Sequence, residues 1–177
     1  MFVVLSAFLY FMSGINPLHH LRRMKDVLLL AFSTASSSGT LPLTLAHVKA
    51  RCGVSDKIGN FYLPVGTTIN MNGSAPYVAV VTVFIAQAYG IDLSFSQYIF
   101  ILFASLMMVG IGAAGIPMAS MILAIIVIQM VGLPAESIGL ILLVERFVDM
   151  ARTSVNVYGN TVAAVLIAKS EGEAVNE

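Results

Sequence analysis

The sequence predicts an all-α polytopic membrane protein, and three observations carry that prediction. Charged residues make up 10% of the chain and hydrophobic ones 58%, whereas a soluble domain carries about 25% charged residues. Apolar windows over residues 97–131 and 137–168 run past the roughly 20 residues that cross a bilayer core. Those runs do not alternate, so they lack the roughly 10-residue, two-faced strands of an outer-membrane barrel. The pattern resolves into two opposed re-entrant helical hairpins and two long transmembrane helices, one of them broken, in five segments.

Residues 1–26 open with an apolar stretch, Met1 to Ser13, which is too short to span. It has neither a basic leader nor a small-residue cleavage site, so it reads as the end of a truncated transmembrane helix rather than a signal peptide. Gly14 to Asp26 holds Asn16-Pro17, His19, His20 and a basic cluster, which marks an interfacial cytoplasmic turn. Its two histidines are expected in solvent. Residues 27–57 form the first hairpin: apolar to Thr34, then Ala35-Ser36-Ser37-Ser38-Gly39, then apolar to Val48. Each arm is about half a crossing, and basic residues flank both ends, so the hairpin enters and leaves on the cytoplasmic side.

Residues 58–96 make a span interrupted by Asn70-Met71-Asn72-Gly73-Ser74 and closed by an outer loop. Irregular backbone at membrane depth is tolerated only where protein or a water-filled cavity takes its hydrogen bonds, so the break lines a site. Residues 97–136 repeat the hairpin pattern around Gly110-Ile111-Gly112-Ala113-Ala114-Gly115-Ile116-Pro117 without basic flanks. One hairpin therefore opens inward and one outward, as in inverted-repeat transporters. Residues 137–177 are the last transmembrane helix and a cytoplasmic tail.

Seven of the nine Lys and Arg residues sit in three places: Arg22, Arg23 and Lys25; Lys49, Arg51 and Lys57; and Lys169. The positive-inside rule makes these cytoplasmic, together with the carboxy terminus. The loops near Asp92 and Glu136 carry none and face out. Cys52, the single cysteine, builds neither a disulfide nor a metal cluster by itself. No nucleophile, base and orienting group occur together, and Gly112 to Pro117 lacks the lysine of a phosphate loop, so an enzyme is not expected.

The last helix carries Glu145, Arg146, Asp149, Arg152, Thr153, Asn156 and Asn160. With Asp149 at zero and about 100° per residue, Glu145 falls near −40°, Arg152 near −60°, Thr153 near +40°, Asn156 near −20° and Asn160 near +20°. One face thus holds the whole row, opposite Leu143, Val148, Val155 and Val162. A single charge at the bilayer centre costs about 2.5–3.5 kcal/mol on insertion scales. Internal ion pairs would explain the charges but not the amides and hydroxyl that continue the stripe; a ligand-facing row explains all of it. Arg152 offers a planar fork for a carboxylate, and Asp149, one turn earlier, receives an ammonium. Together they describe an acidic amino acid, whose α-carboxylate suits backbone amides at the hairpin tips.

Ser36-Ser37-Ser38-Gly39-Thr40-Leu41-Pro42, Asn70-Met71-Asn72-Gly73-Ser74, Gly112-Ala113-Ala114-Gly115-Ile116-Pro117 and Asp149 through Asn160 resemble, in order and spacing, four signature segments of the dicarboxylate/amino acid:cation symporters, the family of glutamate and aspartate transporters. The resemblance implies an elevator-type transport core on a homotrimeric scaffold formed by amino-terminal helices outside this sequence. It places the chain in the plasma membrane or bacterial inner membrane, with no cofactor and no nucleic-acid partner. By the same resemblance Ala35, Ser36, Ser37, Ser74, Ile116, Pro117, Ser120, Asp149, Arg152, Thr153 and Asn156 bind the substrate. Backbone carbonyls at Gly66, Asn70 and Asn156 with the side chain of Asn160 resemble one sodium site; carbonyls at Thr68, Gly110, Ile111 and Ala113 resemble another, with Asn72 also at a cation-binding position.

Sodium-coupled members usually carry aspartate where Asn72 and Asn160 stand, and Glu145 replaces a shorter aspartate. The resemblance therefore implies coupling to Na+ and/or H+ with weakened sodium binding, and Glu145 as a candidate proton carrier. Other readings stay open beside symport of glutamate or aspartate: a C4-dicarboxylate:cation symporter, an anion-conducting channel built from the same polar helix and loops, or an inactive fragment that associates with a longer partner.

Overall fold

A computed structural model describes residues 1–112 and 115–176. Among these the secondary structure is helical throughout: α1 (Phe2–Ser13), α2 (Pro17–Thr34), α3 (Ser37–Cys52), α4 (Asp56–Ile69), α5 (Ser74–Ala88), α6 (Phe95–Gly112), α7 (Ala119–Met130), a 3-10 turn (Ala135–Leu140) and α8 (Leu142–Ser170). Among the described residues two stretches are long and apolar enough to cross a membrane, Asp56–Ala88 taken across its break and Phe95–Gly112.

Local chemistry sets the element ends. Asn16 caps α2 by accepting the Leu18 N–H, with Pro17 in the first turn, where its missing N–H costs nothing. The span from Gly14 to Asp26 is therefore mostly helix, not the turn expected from its polar composition. Ser36 caps α3, Ser55 caps α4, and Gly14 and Gly53 close α1 and α3 in the left-handed conformation, the ordinary helix stop. The last helix begins at Leu142 rather than Ser137, because Pro134 starts a separate 3-10 turn.

Helix α8 is the axis of the fold. It packs against α1, α2, α3, α4, α5 and the 3-10 turn, while α5, α6 and α7 pack on one another. Two apolar cores result. One joins α1 to α4 with the second half of α8, through Leu9, Met24, Val48, Leu63, Tyr158 and Val165. The other joins α5, α6, α7 and the 3-10 turn, through Val78, Ile85, Val109, Val127, Ile128 and Ile138. The polar row of α8 lies where the two cores meet. On the helix's other side Leu143 and Phe147 are 90% and 70% exposed, and Phe11 and Ile111 are equally bare, an apolar exterior suited to lipid or to a larger assembly.

Basic residues outside α8's polar row make local contacts with neighbouring elements. Arg51 pairs with Asp26 and donates to the Arg23 carbonyl, Arg23 donates to the Asn176 carbonyl, Lys49 pairs with Asp56, and Lys169 donates to the Ser13 carbonyl. His20 departs from its expected solvent position. It is buried on α2 with its Nε2 2.9 Å from Thr161 Oγ1, because it shares the inward stripe of Met24, Val27 and Ala31. Cys52, the last residue of α3, is buried beside it, Sγ to His20 Nδ1 3.7 Å.

Candidate functional site

The site is built where α2 and α3, and α6 and α7, turn against α8. Between α2 and α3 the chain reverses at Ala35, held at φ 50°, and Ser36. Ser36 Oγ accepts the Gly39 N–H and donates to the Gly115 carbonyl, which also accepts the Ser38 N–H at 3.1 Å. The two tips therefore meet directly. Gly115 has φ +66°, and a Cβ there would stand 2.7 Å from Ser38 Oγ. Only glycine allows both that backbone angle and that approach. Met118 is also left-handed, at φ 62°, and its N–H donates to Asp149 Oδ2 at 2.9 Å.

The row on α8 is buried as the helical geometry requires. Glu145, Asp149, Arg152, Thr153, Asn156 and Asn160 are each at most 5% exposed, whereas Arg146 points outward. Arg152 Nη2 donates to Glu145 Oε1 at 2.7 Å and forms an ion pair with Asp149 Oδ1 at 2.9 Å. Its guanidinium lies 3.9 Å from the centre of the Tyr77 ring, within cation–π range, and the Tyr77 hydroxyl donates to Glu145. Glu145 thus serves Arg152, not Arg146. One cation balances two carboxylates, and Arg152 Nε and Nη1 are buried without hydrogen-bond partners among the described residues. Buried donors left unspent cost free energy, which marks them as ready for an incoming acceptor.

At the break, Asn156 Oδ1 accepts the Gly73 N–H at 2.6 Å, and its Nδ2 donates to Ser74 Oγ at 3.0 Å and to Met71 Sδ at 3.3 Å. Irregular backbone is thereby satisfied by an amide on α8. Asn70 and Asn160 join one turn further on, Nδ2 to Oδ1 at 3.0 Å.

Ala35, Ser37, Ser74, Ile116, Ser120, Asp149, Thr153 and Asn156 line one cavity together with Met71, Gly115 and Ala119. It is narrow: about 10 Å³ is open to the centre of a water-sized body, room for about one water. Three expected substrate residues stand apart. Ser36 is turned to Gly115 and Gly39, Pro117 is exposed, and Arg152 points to Glu145 and Tyr77 rather than into this space. Met71, in the break, and Met118, in the second tip, also contribute, and Tyr77 contributes without having been anticipated. Tyr77 lies one turn past Gly73 on α5, and an aromatic beside a break opposite a buried arginine is the signal that would have found it.

The two expected cation sets fare differently. Gly66, Asn70 and Asn160 are gathered, and Asn156 is one turn away on the same face of α8. These are neutral oxygen donors; among the described residues no group of three or more His, Cys, Asp or Glu could hold a metal ion. Such a set fits a monovalent cation held by carbonyls and amides. Asn72 sits in the break with Asn70 and Gly110 beside it. Thr68 is exposed and its hydroxyl donates to Val65, while Gly110 and Ile111 are still inside α6. Ala113 lies outside the described residues.

Fold and site together define a helical protein with two apolar stretches of spanning length and a polar pocket, lined by Asp149, between two hairpin tips. The chain belongs to the sodium:dicarboxylate symporter family, whose sequence profile matches residues 1–170. It is 42% identical over 160 residues to the proton/sodium-glutamate symport protein of Bacillus caldotenax, covering 90% of this chain and 38% of that one. It is 41% identical over 166 residues to excitatory amino acid transporter 1 of Rattus norvegicus, covering 93% and 30%. It is likewise 41% identical over 165 residues to excitatory amino acid transporter 5 of Homo sapiens, covering 93% and 29%. The chain thus spans well under half the length of these relatives.

Proposed function

We propose that this chain is the substrate-handling core of a secondary active symporter that moves glutamate or aspartate with Na+ and/or H+ across a cell membrane. The observation that carries the proposal is the guanidinium of Arg152, buried with two unspent nitrogens beside Asp149, whose other carboxylate oxygen accepts the Met118 N–H of the second tip. A substrate side-chain carboxylate takes the open edge of Arg152 as a bidentate partner. The substrate amino group takes Asp149, and Ser37, Ser74, Thr153 and Asn156 complete the shell with backbone amides of the tips. A C4-dicarboxylate meets the same arginine but faces Asp149 without a cation to offer.

The geometry supplies a sequence of exchanges. Asp149 holds both Arg152 and the Met118 N–H, so an arriving ammonium displaces at least one of them. Displacing Met118 frees the second tip. Displacing Arg152 turns the guanidinium toward the carboxylate and leaves Glu145 with Tyr77 alone. Glu145, whose carboxylate also accepts from the Tyr77 hydroxyl, is the proton carrier proposed for the site. In this reading α2–α3 and α6–α7 are re-entrant hairpins entering from opposite faces, with the basic end cytoplasmic. The assembly is a homotrimer that moves this core as an elevator.

Support comes from the family and from the names of the relatives, which are glutamate symporters and excitatory amino acid transporters. The test is radiolabelled uptake in proteoliposomes of the full-length protein, under a sodium gradient and then under a proton gradient alone. Concentrative uptake of L-aspartate or L-glutamate is expected under at least one. Equilibration without accumulation under both would replace the carrier with a pore.

A further inference from the structure

Beyond the substrate cavity, the amide row of α8 ends at Asn160, and there the fold brings in a phenol. Tyr62 lies half-buried on α4, about two turns before the break. Its hydroxyl accepts from Asn70 Nδ2 at 3.2 Å, and the same Nδ2 donates to Asn160 Oδ1 at 3.0 Å. The donors of the Asn70 carboxamide are therefore spent on two acceptors, one from α4 and one from α8. Gly66 makes the room. A Cβ at that position would stand 2.9 Å from Asn160 Oδ1 and 3.2 Å from the Tyr62 hydroxyl, so both oxygens approach the bare Cα of one residue.

We infer that Tyr62 is a positioning residue for the coupling cation, acting through Asn70 and Asn160. The inference rests on the proposed cation-coupled symport and adds a residue to it. A neutral ligand set has no carboxylate to bind a cation at a distance, so its affinity depends on each oxygen being held in place beforehand. A carboxamide presents either an oxygen or an amino group, depending on how it is turned, and the amino end repels a cation. With its Nδ2 directed at Tyr62 and Asn160, Asn70 is locked in one orientation. Asn160 Oδ1 keeps a second lone pair for the ion. Without the phenol oxygen, the Asn70 amide is held by Asn160 alone and the set loses part of its alignment.

The test is the Na+ dependence of thermal unfolding and of L-aspartate binding for the full-length protein in lipid nanodiscs, compared among wild type, Tyr62→Phe and Asn160→Ala. Tyr62→Phe keeps the ring against Gly66 and removes only the oxygen. The expected result is a Na+ midpoint raised about 3- to 10-fold, the worth of one neutral hydrogen bond, with L-aspartate affinity at saturating Na+ unchanged. Asn160→Ala should raise the midpoint further. An unchanged midpoint in Tyr62→Phe beside a shifted one in Asn160→Ala overturns the role of Tyr62 and leaves sodium coupling standing. A loss of L-aspartate binding in Tyr62→Phe that saturating Na+ does not restore also overturns it, since that is general structural damage. A wild-type protein indifferent to Na+ in both measurements overturns the inference and the sodium reading together.

Discussion

The two hairpin tips share one carbonyl, yet they are held by opposite means. The first is tied by its own serines and by polar contacts along its arms. Ser36 caps α3, the Thr40 hydroxyl donates to the Ser36 carbonyl, the Ser154 hydroxyl on α8 donates to the Leu28 carbonyl, and Arg51 pairs with Asp26 at the base. The second tip leans on others: Gly115 on the first tip, and Met118 on Asp149. Its arms are packed by apolar residues such as Val109, Leu123 and Val127. A tip fastened to itself stays put when a ligand arrives. A tip fastened to a carboxylate that the ligand needs lets go. On the proposed binding of substrate at Asp149, the asymmetry makes the second hairpin the one whose position reports on substrate.

Replacing Arg152 with alanine should have the largest effect, because it leaves Glu145 and Asp149 as unpaired buried charges and removes the carboxylate partner. L-aspartate binding by calorimetry should weaken by about 100-fold or more, and Asp149, which holds the second tip through Met118, should lose its cation. Retained affinity would separate the tips from the site. Gly115→Ala comes next. It forces a side chain into a left-handed position and against Ser38, so the tip-to-tip contact opens and binding should fall about 10-fold, in line with strain of 1–3 kcal/mol.

Met118→Gly should act more gently and in an informative direction. Relieving a left-handed methionine, worth about 1–2 kcal/mol, stabilises the tip on Asp149 and so competes with the substrate ammonium. Binding of L-aspartate is expected to weaken several-fold, and that of a ligand without an amino group to change less. Tighter aspartate binding would show that the Met118 contact does not compete.

The smallest effect is expected at Glu173, at the base of the first hairpin. Ser55, through its hydroxyl and its N–H, holds the Glu173 carboxyl below the usual carboxylate range. A carboxyl depressed in the folded state stabilises it above the unfolded value, about 4.3, and that stability is lost as pH falls through the folded value. Hydrogen exchange at Gly53 to Asp56 should therefore quicken only in acid. Glu173→Gln should quicken it at neutral pH, with L-aspartate binding unchanged; a change in binding would mean that the base and the tip are coupled.

The sequence disclosed the site more fully than the packing around it. Charges at membrane depth must be satisfied internally, so the α8 stripe, the break at Asn70 to Ser74 and the serine reversal at Ala35 could be located by residue type and helical period. Contacts that depend on a tip conformation were hidden, because nothing local marks Met118 as the donor to Asp149 or turns Ser36 toward Gly115. Arg152 was legible as a buried charge but not as a side chain turned away from the cavity, since that follows from Tyr77 on another helix. The burial of His20 and the start of α2 both carry a local signal in the sequence. Asn16-Pro17 is a helix-start signature, and His20 stands on the same stripe as Met24 and Val27. Adjacent arginines weighed more than that period.

The account comes down to one comparison of ligands: L-aspartate and succinate titrated into the full-length protein and into its Asp149→Asn variant. Wild type is predicted to prefer L-aspartate by at least about 10-fold, the worth of a charge-assisted hydrogen bond, and the variant to bind the two within a few-fold of each other. Succinate binding to wild type as tightly as L-aspartate would contradict the role of Asp149 and, with it, the zwitterionic site between the tips.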